Sequence, residues 1–153
     1  MNTIWIDGDN CPSLVIKFTA DFCLKHNLNL KIAANRKIEI SESSYEMIIC
    51  PKEKDSADSC ILEHADIHDI VITKDIIFAE KLLNKDILTI NDRGKKFENN
   101  KMKYRMQDRD LDLQLAQLGF GGKKGRSYST KELQKFQECL EKTYTTLLSR
   151  NNP

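Results

Sequence analysis

The chain has 153 residues, 40% apolar and 31% charged, with 24 basic against 23 acidic side chains. This is the make-up of one globular domain able to bury its own core, and it excludes a disordered chain. No apolar run approaches the roughly 18 residues of a membrane span, and no basic-then-apolar leader opens the chain, so a cytoplasmic location is expected.

Taken in order, the elements alternate. "TIWID" (3–7) is an apolar run of strand length. Leu14, Val15, Phe18, Phe22 and Cys23 then recur at helical spacing, with Pro12 suited to the first turn. "LNLKIAA" (28–34) alternates as a strand, and "MIIC" (47–50) is a short buried-type strand stopped by Pro51. Residues 57–65 predict a helix with Ala57, Ile61 and His64 on one stripe. "DIVIT" (69–73), "IIFAEKLLN" (76–84) and "DILTIN" (86–91) predict strand, helix and strand. Beyond residue 92 the segment 92–105 is polar, basic and turn-rich. A helix is expected over 107–118, a glycine-rich basic loop over 119–127, and a Ser-x-x-Glu capping box at 129–132. That box opens a last helix with Leu133, Phe136, Leu140, Tyr144 and Leu147 on its core face, and 149–153 is expected to fray. Strands alternating with helices imply an α/β sandwich of three layers around a central, mainly parallel sheet, in a single domain over 1–148.

The five cysteines (11, 23, 50, 60 and 139) are odd in number and show no C-x-x-C spacing. This argues for buried thiols rather than a zinc ribbon or a disulfide framework, with Cys11, beside an acidic pair, as the possible exception. Charge is unevenly spread: residues 1–92 hold 10 basic and 16 acidic side chains, whereas residues 93–126 hold 10 and 4. An acidic body with a basic segment suits a protein that binds cations in one place and a polyanion beside it, although a solvated basic loop gives the same count.

The acids fall at informative places. Asp7 and Asp9 close the first strand, and ligands of parallel sheets bind beyond the carboxyl ends of strands. Asp55 and Asp58 flank a helix start, where capping is an equally good explanation. Thr73 and Asp75 stand past another strand end, again at an N-cap position, and Asp92 follows "LTIN" as a turn residue. Close carboxylates repel unless a cation offsets them, and hard dications prefer oxygen ligands, so gathered acids here would form a Mg²⁺ or Mn²⁺ site. His26, His64 and His68 are scattered and make a poor zinc set.

"WIDGDNCP", "AANR", "DSADSCI", "DIVITKDIIFAEKL", "TINDRG" and "GGKKGRSYSTKE", in this order, resemble the YaiI/YqxD family of uncharacterised bacterial proteins. That family is regarded as PIN-like, and "ITKDIIFA" is similar to the Thr-x-Asp-x-x-Phe element of PIN domains. The resemblance implies metal roles for Asp7, Asp58 and Asp75, with Asp9 beside them, in a PIN-like domain. The chain departs from the pattern at Asn10, where many relatives carry Ala, and at Ser59 and Cys60, where many carry Asp and Glu.

The leading expectation is a metal-dependent nuclease acting on RNA. In it Asp7, Asp58 and Asp75 hold the metal, and Asp9 binds metal or orients the attacking water. Asn10, Thr73, Asn35 and Arg36 contact phosphate or metal waters. Arg93, Lys95, Lys96, Lys123, Lys124 and Arg126 grip the backbone, and Phe97, Tyr104 or Phe120 offer a stacking surface. One alternative is a non-catalytic RNA- or nucleotide-binding module. The other is a phosphatase of haloacid-dehalogenase type, suggested by "DGDN" but lacking the Thr that usually follows the second Asp. Oligomeric state is not legible.

Overall fold

The computed structural model describes residues 2–9, 11–36, 38, 45–50, 56–98 and 128–151. Five strands form one parallel sheet: β1 (Thr3–Asp7), β2 (Asn29–Ala34), β3 (Glu46–Ile49), β4 (Ile70–Ile72) and β5 (Leu88–Ile90). Among the described residues four helices flank it: α1 (Ser13–His26), α2 (Ser56–His64), α3 (Ile76–Asn84) and α4 (Thr130–Asn151). The strand order is β3-β2-β1-β4-β5, so the chain winds outward in both directions from β1. The three-layer α/β sandwich expected from the alternating pattern is the observed one.

Side-chain parity builds the two faces. Ile4 and Ile6 of β1, with Ile70 and Ile72 of β4, point into a core closed by α1 and α4 through Val15, Phe22, Phe136 and Leu140. Trp5 and Val71 point the other way, into a core closed by α2 and α3 through Ile61, Phe78 and Leu82. Both faces are covered, which is why these short strands read as continuous apolar runs. α1 begins with Pro12 as N-cap rather than within the first turn, and ends at Asn27 in the left-handed region. α4 opens on the expected capping box: Ser129 N–H donates to Glu132 Oε2 at 2.9 Å.

Several boundaries shift. α2 presents Ala57 and Ile61 to the core, followed by Ala65 just past its end, and His64 is exposed against Trp5 instead of joining the stripe. α4 runs on to Asn151, where Arg150 donates to the Ile67 and Asp86 carbonyls and Asn151 meets His68; residues 149–151 are therefore helix and not a frayed tail. Phe97 is 1% exposed, packed as core, and is not available to stack on a base. Residues 95–97 return alongside β5, with Asn91 N–H to the Lys95 carbonyl and Phe97 N–H to the Thr89 carbonyl, and so cover that edge. The helix expected over 107–118, the loop over 119–127, Asp55, Tyr104 and Phe120 lie outside the described residues.

At the amino end of the sheet a buried carboxylate ties strand to loop. Asp69 accepts from Thr3 N–H at 3.0 Å, from the Trp5 indole at 3.1 Å and from Asp66 N–H at 3.1 Å. Asp69→Ala is expected to cost about 2–4 kcal/mol, since it leaves buried donors unpaired. Urea unfolding followed by the emission of Trp5, the single tryptophan, measures this.

Candidate functional site

The strand order reverses between β1 and β4, and in open parallel sheets the crevice beyond the carboxyl ends at such a reversal is where ligands bind. Asp7 ends β1 and Thr73 follows β4, one step beyond the paired residues Ile6 and Ile72. Parity turns both toward the α2–α3 side. Thr73 Oγ1 donates to Asp7 Oδ2 at 3.0 Å and accepts from Asp75 N–H at 3.1 Å. Asp75 caps α3, its Oδ1 accepting from Phe78 N–H at 3.1 Å. Asp58 stands in the first turn of α2, which starts at the same edge of the sheet.

Three carboxyls thus come together in pairs at the reversal point, through Asp58. Asp7 and Asp58 lie within hydrogen-bonding contact, as do Asp58 and Asp75. Two carboxyls in such contact need a proton or a cation between them. Desolvation pushes Asp7 up to about 6, opposed by its hydrogen bonds to Thr73 and Asp58. Desolvation, reinforced by the charges of Asp7 and Asp75, pushes Asp58 up to about 8, so the cluster as a unit favours holding a proton. Among the described residues, no three His, Cys, Asp or Glu side chains are disposed around a common point as metal ligands. The acids are paired through Asp58 instead. A cleft of about 160 Å³ opens beside Asp58 and Asp75, lined also by Ser59, Leu62, Ile77, Phe78 and Lys81.

Asp9 is drawn elsewhere: its Oδ1 accepts from Asn35 N–H at 3.1 Å, tying the turn after β1 to the end of β2. Gly8, between the two acids, passes so close to β2 that a Cβ would come within 2.7 Å of Ile38 Cδ1 and 2.9 Å of Ile32 Cγ2. Asn35 and Arg36 are exposed at the same sheet edge. Asn10, Lys123, Lys124 and Arg126 lie outside the described residues. Arg93 pairs with Glu132 at 3.9 Å. Lys95 and Lys96 line a cleft of about 340 Å³ with Lys135 and Lys142 of α4. Those two helix lysines were missed from sequence; their spacing of seven, two helical turns, was the available signal. The three histidines lie away from the acids: His26 packs on Phe22 and Tyr144, His64 on Trp5, and His68 meets Asn151. A larger cleft, about 560 Å³ and lined by residues such as Asn27, Asn29 and Glu46, opens at the amino end of β2, away from the acids.

Asp92 also acquires a role that its turn position hid. Its side chain is 4% exposed and its Oδ2 lies 3.5 Å from Lys74 Nζ, with no hydrogen-bond partner among the described residues. Cys11 packs against the α1–α4 core, and desolvation together with the nearby Asp92 charge raises its thiol above the usual range.

Residues 5–146 match the family described as "Uncharacterized BCR, YaiI/YqxD family". The chain belongs to that family. It is 30% identical to a UPF0178 protein of Treponema denticola over 97% of this chain and 96% of the relative. It is 29% identical to UPF0178 proteins of Stutzerimonas stutzeri and Pseudomonas putida, over 94% of this chain and 96% and 97% of theirs. No solved structure matches the chain significantly. Among the described residues no helix is long and apolar enough to cross a membrane.

The carboxyl cluster has a direct stability consequence. A carboxyl whose pKa is raised on folding favours the folded state below its unfolded pKa, and that contribution is lost as pH rises through the folded value. With values of about 6 and about 8 against 3.8 unfolded, the cation-free chain is expected to lose stability between about pH 4 and pH 8. Asp58→Asn is expected to flatten this dependence and to stabilise the cation-free chain at pH 8 by about 1–2 kcal/mol, allowing for solvent screening of a half-open site. Urea unfolding with chelator at pH 5 and pH 8 checks both.

Proposed function

We propose that the protein is a metal-dependent nuclease acting on RNA, a cytoplasmic enzyme of PIN-like type. One observation carries the reading: Asp7, Asp58 and Asp75, distant in sequence, meet at the point where strand order reverses, in contacts that require a proton or a cation. The donor set is all oxygen, the chemistry that Mg²⁺ and Mn²⁺ prefer. Replacing the shared proton with a dication relieves the same repulsion. Asp7, Asp58 and Asp75 would hold the ion, with Asp9 beside them.

When bound, the dication supplies Lewis-acid stabilisation of charge on the phosphoryl oxygens. The chain's own groups do the rest. Thr73 orients Asp7 by donating to its Oδ2 and fixes the start of α3 by accepting from Asp75 N–H. The cap to Phe78 N–H occupies one oxygen of Asp75 and leaves the other for a ligand. Asp9, anchored by Asn35 N–H, orients the attacking water from the β2 side. Asn35 and Arg36 at that edge contact phosphate, and Lys95, Lys96, Lys135 and Lys142 supply the positive lining that a phosphate backbone requires. Asn10, Lys123, Lys124 and Arg126 belong to the same proposal on their sequence positions.

A second reading, a non-catalytic RNA- or nucleotide-binding module, is favoured by one observation: the acids are paired with one another and not disposed around a common point.

The test is cleavage of labelled RNA. With Mn²⁺ the chain is expected to cut, with chelator to stop, and as Asp7→Asn to lose on the order of 10²-fold or more in rate. Metal-independent binding without cleavage, released steeply by salt, establishes the binding module instead. Turnover of a small phosphomonoester with RNA left intact establishes the phosphatase.

The ion also has a stability signature. At 100 times its Kd, Mn²⁺ stabilises by about 2.7 kcal/mol, so the melting temperature should rise by several degrees. Asp58→Asn should abolish the rise. Equal melting with and without millimolar Mg²⁺ and Mn²⁺ overturns the metal site.

A further inference from the structure

We propose that Cys50 and Cys60 form a redox modification site, a dithiol that closes to a disulfide on reaction with a low-molecular-weight disulfide of the glutathione type. The inference does not depend on the nuclease reading. All five cysteines are free thiols, and this pair alone is in sulfur–sulfur contact among them, at 3.2 Å. A disulfide bond is about 2.05 Å long, so closure needs an approach of roughly 1.2 Å.

The two sulfurs come from elements that the fold holds together. Cys50 follows β3, and its N–H donates to the Ala34 carbonyl at 2.7 Å, which fixes its backbone to the end of β2. Cys60 lies in α2, and both side chains belong to the core under that helix with Ala57 and Ile61. They differ in access: Cys50 is 3% exposed, whereas Cys60 is half-buried. An incoming disulfide therefore reaches Cys60 first.

The exchange balances in two steps. The Cys60 sulfur attacks one sulfur of RSSR. The Cys60–SR bond forms, the RS–SR bond breaks, and the first RSH leaves with the Cys60 proton. The Cys50 sulfur then attacks Cys60 Sγ. The Cys50–Cys60 bond forms, the bond to R breaks, and a second RSH leaves with the Cys50 proton. Two protein thiols are oxidised and one small disulfide is reduced. The link ties the end of β3 to α2 two residues beyond Asp58.

The test uses the full chain with oxidised glutathione. Remaining thiols are counted in denaturant, and the cross-linked peptides are mapped by mass. The expected result is a fall from five thiols to three. A single cross-linked species should join residues 50 and 60, without retained glutathione and reversed by dithiothreitol. Cys60→Ser and Cys50→Ala should each abolish that species, with folding confirmed by circular dichroism. Cys60→Ala replaces Cys60→Ser if the serine disturbs the core. Five thiols surviving, glutathione remaining attached, or a disulfide built from other cysteines would each overturn the proposal.

Discussion

Like charge held in a small space is the constraint on which the acidic edge of this molecule turns. The fold brings Asp7, Asp58 and Asp75 to one edge of the sheet and shields them from water, while two helix starts and Thr73 supply only partial compensation. Each carboxyl is explicable alone: one ends a strand, one sits in a first helical turn, one caps a helix. Their coincidence is not, because capping and turn chemistry gain nothing from placing three acids in contact. A structure that retains such repulsion spends stability there, and the remainder of the fold must supply it.

It does so through the two cores. β1 is central, covered on both faces and clamped at its amino end by Asp69. That rigidity fixes the position of Asp7 at the other end of the same strand. The acids are thus carried on the central strand, with Asp58 and Asp75 brought to it by helices whose first turns abut the sheet edge.

Much of this was legible in the sequence because it is written in short-range patterns. Apolar runs, the Ser-x-x-Glu box and the alternation of strands with helices located every described element to within a few residues. Asp7, Thr73 and Asp75 were recognisable because strand ends in parallel sheets collect ligands. What escaped is what depends on distance in sequence. Asp69 reads as the first residue of a strand, and only folding shows that it pairs with Thr3 and Trp5. Asp92 reads as a turn residue until Lys74 arrives beside it. Phe97 stands in a polar, basic stretch and reads as a surface aromatic, yet that stretch folds back along β5 and buries it. Cys50 and Cys60 lack any recognised spacing, and their contact is made between a strand end and a helix. Asp9 shares its motif with Asp7 but is claimed by Asn35, just past the end of the neighbouring strand.

Gly8 shows how narrowly the acidic edge is built. The residue separates two carboxylates, yet its own surroundings are aliphatic: Ile32, Ala34 and Ile38 fill the space that a side chain would need. The backbone there is wedged against the opposite core, so the spacing of the two acids is governed by hydrocarbon contact and not by anything a ligand does. The position therefore couples the packing of one layer to the aim of groups serving the other, and even a single added methyl would be felt across the sheet.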